Sequence, residues 1–487
     1  MYFKDLRPGR SRFKKKEPRL PMRPAYTRSS HEVAHKERKP EKQPAPLIRL
    51  ADAWWNRLIA AVYSGSFSKE SAQYSSHMQG RDYIWNSVGW AAWGAMFPLL
   101  TIVVTQLCGV NLAGRFSMAF VVANLLLFLG NYGVRTYQVS DLHEEHSFKD
   151  YQFQRILSCL LMLLAGWLWT KFRNYDETMA MICAGVFLFR TIDAFADVYE
   201  GRLQQCDKLY LAGISMSIRC ALSTVVFSLV LLFTRNLVFA GFAMAISAAV
   251  SLILLTIPLT LFETPRSCGL RMHQVKNIFV SCFPLFIALF LYALIDSMPK
   301  FAMEGVLSYS NQLYFNAMYF PAHSIIMVAG ILYKPQLVRL ARIWEDPKGH
   351  KKFSLLVLAM LGVIVGISLV TGVFMAWIGI PIMSFMYGVD FNKFHSLALV
   401  MVAAGGVSAA IDFVYQIITV LRQQKQVTKL YLIAFAFSIP ISYLLVAYAG
   451  LAGAVIDNLV IMALLFVLLI SEFITIRKRL ARTEECA

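Results

Sequence analysis

Charged residues are scarce in this sequence. Only 16% of its 487 residues are Asp, Glu, Lys or Arg, where a soluble domain carries roughly 25%. The 57% that are apolar exceed what a globular core of this size hides from water, which points to a bilayer as the solvent. Paired cysteines are missing too. None of the eight cysteines forms a CxxC, so neither a zinc site nor a disulfide framework is supported, and buried free thiols are expected. There is no GxxxxGK[ST] phosphate loop and no GxSxG elbow, which removes P-loop nucleotide hydrolysis and the serine-hydrolase plan. Residues 143–146 read HEEH, the wrong spacing for a zinc-binding HExxH helix. Asp193 and Asp197 lie in an apolar stretch beside Arg190, a poor setting for glycosidic acid–base work. The expectation is a protein that is not an enzyme and uses no metal or cofactor.

The positive charge that is present is concentrated. Residues 1–50 hold fifteen Lys or Arg against five acids, more than half of the net +18. In a chain this apolar, anionic lipid headgroups are a better partner for such a segment than nucleic acid, at roughly 1 kcal/mol per basic residue near the surface. No apolar run of signal-peptide length occurs in the first 46 residues. Their Pro, Lys, Arg and Ser content reads as a disordered cytoplasmic tail. Residues 47–64 differ: Leu47, Leu50, Ala51, Trp54, Leu58, Ala61 and Val62 share one helical face, the pattern of a helix lying in the headgroup layer. A polar linker over 65–83 follows.

Beyond it come apolar stretches of spanning length, about 20 residues each. They divide into a first lobe of six helices over 84–262, an inter-lobe loop at 263–274, a second lobe of six over 275–476, and a basic C-terminal tail at 477–487. Pro381 in the ninth stretch is a candidate break. The loops on the side of the N-terminal tail carry twenty-one Lys or Arg; those on the other side carry five, Lys171, Arg173, Arg235, Lys300 and Lys393. By the positive-inside rule both termini are cytoplasmic.

Polar groups inside spans need a reason, because an ionisable side chain at the bilayer centre costs roughly 2.5–3.5 kcal/mol on insertion scales. The fourth stretch has Arg190, Asp193 and Asp197; the fifth has Arg219 between Ser215 and Ser223. The eighth carries Ser308, Gln312, Asn316, Tyr319 and His323 on one face, and the tenth repeats this with Ser408, Asp412, Tyr415, Gln416 and Thr419. Asp457 and Asn458 lie in the twelfth. Such stripes face either neighbouring helices, as hydrogen-bonded glue, or a hydrated central cavity.

Several short segments, in this order, resemble the polysaccharide flippases of the MOP superfamily, the Wzx type that carries lipid-linked oligosaccharides. They are GVNLAGRFS at 109–117, NYGVRTYQVSD at 131–141, DVYEGRLQ at 197–204, Pro284 followed by Asp296, MYGVD at 386–390 and GLAGA at 450–454. The resemblance runs from about Tyr83 to the C-terminus. It implies an all-α membrane protein whose two six-helix lobes enclose a cationic cavity open to alternate faces of the bacterial cytoplasmic membrane. The implied substrate is a polyprenyl-diphosphate-linked glycan, and glycan-assembly enzymes would be neighbours. Under it, Arg115, Arg135, Arg190 and Arg219 become candidates for diphosphate or acidic sugar, with Gln312, Asn316, Tyr319 and His323 lining the path. Asp193, Asp197, Asp296, Asp412 and Asp457 become candidates for ion coupling or helix pairing. A MATE-like antiporter of small cations on the same plan stays open; it would need an acidic cavity.

Overall fold

The computed structural model describes residues 71–485 apart from 142, 143, 266, 268, most of 334–349 and 421–423. The expected tail and surface helix at 1–64 lie outside the described residues. Ser71–Cys108 forms α1, so the helix begins inside the stretch read from sequence as a linker. There follow α2 (Val110–Ser140), α3 (Phe148–Phe172), α4 (Glu177–Gln205), α5 (Leu209–Thr234) and α6 (Leu237–Glu263). The second half holds α7 (Met272–Met303), α8 (Tyr309–Tyr333), α9 (Lys352–Tyr387) and α10 (Phe391–Thr419). The last apolar stretch, Gln426–Arg477, is broken at Gly450, whose φ of 57° and ψ of −131° are not helical. It therefore forms two spans, α11 before the kink and α12 after it. Among the described residues this gives twelve helices long and apolar enough to cross a membrane, and no strand.

Local chemistry sets the ends and the irregular turns. Ser147 and Asp150 form a reciprocal capping box that starts α3, satisfying donors that no helical carbonyl can reach. Asn236 accepts from the amides of Val238 and Phe239 at the start of α6. Five-residue π turns at Leu252–Thr256 in α6 and Met375–Gly379 in α9 come just before Pro258 and Pro381. A proline ring collides with the carbonyl four residues back and donates no N–H, and a widened turn absorbs both defects. Thus α9 continues through Pro381 instead of breaking there.

Helices within a lobe approach closely at glycines, which lets backbones meet without a Cβ between them. A Cβ on Gly213 of α5 would stand 2.3 Å from the Trp85 carbonyl oxygen of α1, and one on Gly185 of α4 would stand 2.9 Å from the backbone of Gly241 in α6. In the second lobe, a Cβ on Gly405 of α10 would stand 2.3 Å from the Ala322 carbonyl oxygen of α8. The lobes meet along α2, which packs on α7 and α8. One loop assignment needs correction. Lys300 belongs to α7, which runs past Pro299 to Met303, and its side chain is buried. Pairing with Asp296 one turn earlier, at 3.0 Å, neutralises it and lets the helix carry it.

Candidate functional site

On α4, Arg190, Asp193, Asp197 and Glu200 recur at spacings of three, four and three, so they form one stripe along the helix. Arg219 of α5 faces this stripe. Its Nη2 donates to Asp193 Oδ1 at 2.8 Å, and its Nη1 to Glu200 Oε1 at 2.6 Å. Arg190 Nη1 donates to the other Asp193 oxygen at 3.0 Å, and Trp93 Nε1 of α1 donates to that oxygen at 2.7 Å. The Arg190 guanidinium also lies over the rings of Trp93 and Phe120, at 4.8 and 4.9 Å. One turn further along, Asp197 is shared between Arg135 of α2 (2.8 Å) and Arg155 of α3 (2.9 Å). Arg155 also donates to the Gly130 carbonyl and to Asn131 Oδ1. Four guanidinium groups thus meet three carboxylates inside the first lobe.

This network joins five of the residues singled out from sequence: Arg135, Arg190, Arg219, Asp193 and Asp197. Arg190 and Arg219 are sealed in, each 1% exposed. Arg135 keeps 19% of its side chain open, with Asp197 at 16%, and forms the accessible edge of the cluster. Arg115 stands apart at the other end of α2, bound to Asp176 at 2.8 Å. Sequence reasoning missed Arg155 and Glu200. The signal for Glu200 was present, since it continues the 190–193–197 stripe.

The second lobe builds a different cluster. Asp296 of α7 accepts from the Tyr319 hydroxyl at 2.9 Å and from Lys300 Nζ at 3.0 Å, and that ammonium lies 4.0 Å from the centre of the Tyr319 ring. Gln312 donates to the Lys300 carbonyl and Asn316 to the Gln312 carbonyl, so the outer half of the α8 stripe is packed and bonded. His323 stacks on Tyr319 with ring centres 5.2 Å apart. Beside them lies a water-sized pocket of about 10 Å³, bordered by Gly405, Ser408 and Asn458. Asp412 accepts from the Tyr333 hydroxyl.

Asp457 is fully buried, and among the described residues the Ser442 hydroxyl is its only hydrogen-bonding neighbour, with no cation paired to it. An ionised carboxylate there would be uncompensated. Asp457→Asn should therefore leave the melting temperature in detergent unchanged or raised, whereas Asp193→Asn should lower it. A fall with Asp457→Asn as large as that with Asp193→Asn would show that a charged partner is engaged.

No family model matches the chain. Among solved structures it is similar to an inward-facing multidrug-resistance MATE transporter of the MOP superfamily, at TM-score 0.56 and 14% identity over 79% of this chain and 96% of that one. A MATE structure in the bent conformation gives TM-score 0.52 and 14% identity over 83% and 95%. A MOP-superfamily transporter from Pyrococcus furiosus, described as having reversed polarity of its binding pocket, gives 0.53 and 15% over 82% and 95%. The chain is a multi-pass membrane protein with the fold of the MOP-superfamily transporters. In sequence it is similar to the capsular polysaccharide biosynthesis protein CapF of Staphylococcus aureus, 22% identical over 322 residues, 63% of this chain and 76% of that protein.

Proposed function

We propose that this protein is a flippase that moves a polyprenyl-diphosphate-linked oligosaccharide across the bacterial cytoplasmic membrane by alternating access of its two lobes. The observation that carries the reading is the cationic surplus of the α4 network, four arginines against three acids, with Arg135 at its open edge. A planar guanidinium bonds phosphate oxygens in pairs and stays charged when partly buried. The relative named for capsular polysaccharide biosynthesis supports a place in the making of a surface glycan.

The direct test is translocation in proteoliposomes containing only this protein and a lipid-linked oligosaccharide, read by protection of the glycan from an added glycosidase. Arg135→Ala should reduce the rate about tenfold or more, the loss of one charge-assisted bond, with little change in melting temperature. Arg135→Lys should restore part of the rate, because an ammonium lacks the paired donors. A second reading, a MATE-like cation antiporter, is favoured by Asp296, Asp412 and Asp457, three acids against Lys300 in the second lobe. Export of organic cations without glycan protection would select it.

A further inference from the structure

The faces of the two lobes away from the cytoplasm are joined by a compact set of polar contacts centred on Glu304, the residue that ends α7. Arg173, in the loop between α3 and α4, reaches Glu304 Oε2 at 2.7 Å and donates to the Glu304 carbonyl oxygen at 3.0 Å. Tyr175 of the same loop donates to Glu304 Oε1 at 2.5 Å, and its hydroxyl accepts from Trp169 Nε1 at 3.2 Å. The Trp169 ring packs on Phe301 of α7, with centres 5.0 Å apart. Glu304 itself is 6% exposed. Its loop is tight, with Gly305 at a φ of 90°, so it presents the carboxylate as a fixed point.

We propose that Arg173, Tyr175 and Glu304 form a latch that holds the outer face closed and must part for the protein to open outward. This rests on the alternating-access reading but on no particular substrate. Three features favour a latch over ordinary lobe packing. Every partner of Glu304 in it comes from the opposite lobe. The two loops involved, 173–176 and 304–308, are short and each joins two spans, so separating them moves whole helices. The bonds are also few and directional: a bonded charge pair can be broken and remade as a unit, whereas a continuous apolar seam would resist reopening. At the cytoplasmic end Tyr132 of α2 stacks on Phe286 of α7 at 4.3 Å, and Arg271 at the start of α7 bonds to Asp150 through its amide at 2.7 Å and to the Glu145 carbonyl at 3.0 Å, so no side-chain ion pair between the lobes is described there.

The test needs no glycan. Thr178, exposed on the first lobe, and Lys393, exposed on the second, are replaced by cysteine in a background lacking reactive native thiols. Spin labels there report the outer-face distance distribution in nanodiscs. The otherwise unaltered protein should show a dominant short distance. Arg173→Glu should convert it to a distribution with the long distance raised at least fivefold, and Arg173→Glu with Glu304→Arg should restore the short one. Restoration by the swapped pair separates loss of the latch from loss of fold. Tyr175→Phe should give an intermediate shift. Unchanged distances in Arg173→Glu, or a double variant no shorter than the single, would overturn the latch while leaving the proposed substrate untouched. Failure of glycan translocation with the distances shifting as stated would overturn the substrate and keep the latch.

Discussion

Arg219→Ala should give a protein that inserts or folds poorly, with most of it lost to aggregation when extracted in mild detergent. The reason lies in what the arginine leaves behind. Asp193 keeps Arg190 and Trp93, but Glu200 retains only Arg135, at 3.8 Å. Breaking a buried pair by deleting one partner costs about 3–5 kcal/mol, most of it from the stranded charge, a large share of a typical 5–15 kcal/mol stability. Removing the stranded charge as well should recover much of the loss, so Arg219→Ala with Glu200→Gln should melt above the single variant. Pairing Arg219→Ala with Asp193→Asn should help less, because it strips Arg190 of its carboxylate too. Arg219→Lys should fall between, since an ammonium cannot span both acids with paired donors. The contacts make Arg219 the structural pin of the first lobe, and they leave Arg135 as the member that can change partner. A stable Arg219→Ala protein with undiminished flux would rule out both the pin and the diphosphate contact that the resemblance implied for Arg219.

The span positions were legible because a helix that crosses a bilayer must be apolar over about 20 residues. Which partner each buried charge takes was not. The α4 stripe could be read from spacing, but Arg219 bonds to acids 19 and 26 residues away on a different helix, a pairing set by how α4 packs on α5. Lys300 was misread for a related reason. A proline and a lysine together look like a loop, yet Asp296 at the preceding turn cancels the charge and the helix tolerates Pro299 near its end. The α8 stripe shows the converse limit. Gln312 and Asn316 sit on the face that the spacing indicates, but their donors go to backbone carbonyls of α7 and α8. Periodicity finds a polar face and is silent on whether that face is wet. Glu304 carried no sequence signal at all, because its partners lie about 130 residues away in another short loop.

The largest conformational effect should come from Gly114, which meets the opposite lobe near the latch. A Cβ at this position would stand 1.8 Å from the Tyr309 carbonyl oxygen and 2.3 Å from its carbon. No rotamer change relieves a clash with backbone, so even Gly114→Ala cannot coexist with the closed outer face as it stands. Overpacking of this kind costs about 1–3 kcal/mol. Charged against one of two conformations, that is a shift of roughly 5–150-fold in their ratio. Because the clash lies between α2 of one lobe and the start of α8 of the other, and not within either helix bundle, the penalty should appear as opening rather than unfolding. Gly114→Ala should retain its melting behaviour, lengthen the outer distance between labels at 178 and 393, and lower the transport rate about tenfold or more. Gly362→Ala on α9 is the matched control. Nothing lies within 4 Å of the Cβ it would add, and alanine favours a helix interior over glycine by about 0.5–1 kcal/mol. It should leave both distance and rate unchanged. If Gly114→Ala keeps the short outer distance, the α2–α8 approach yields more easily than its backbone geometry implies, and the closed face is not set by that contact.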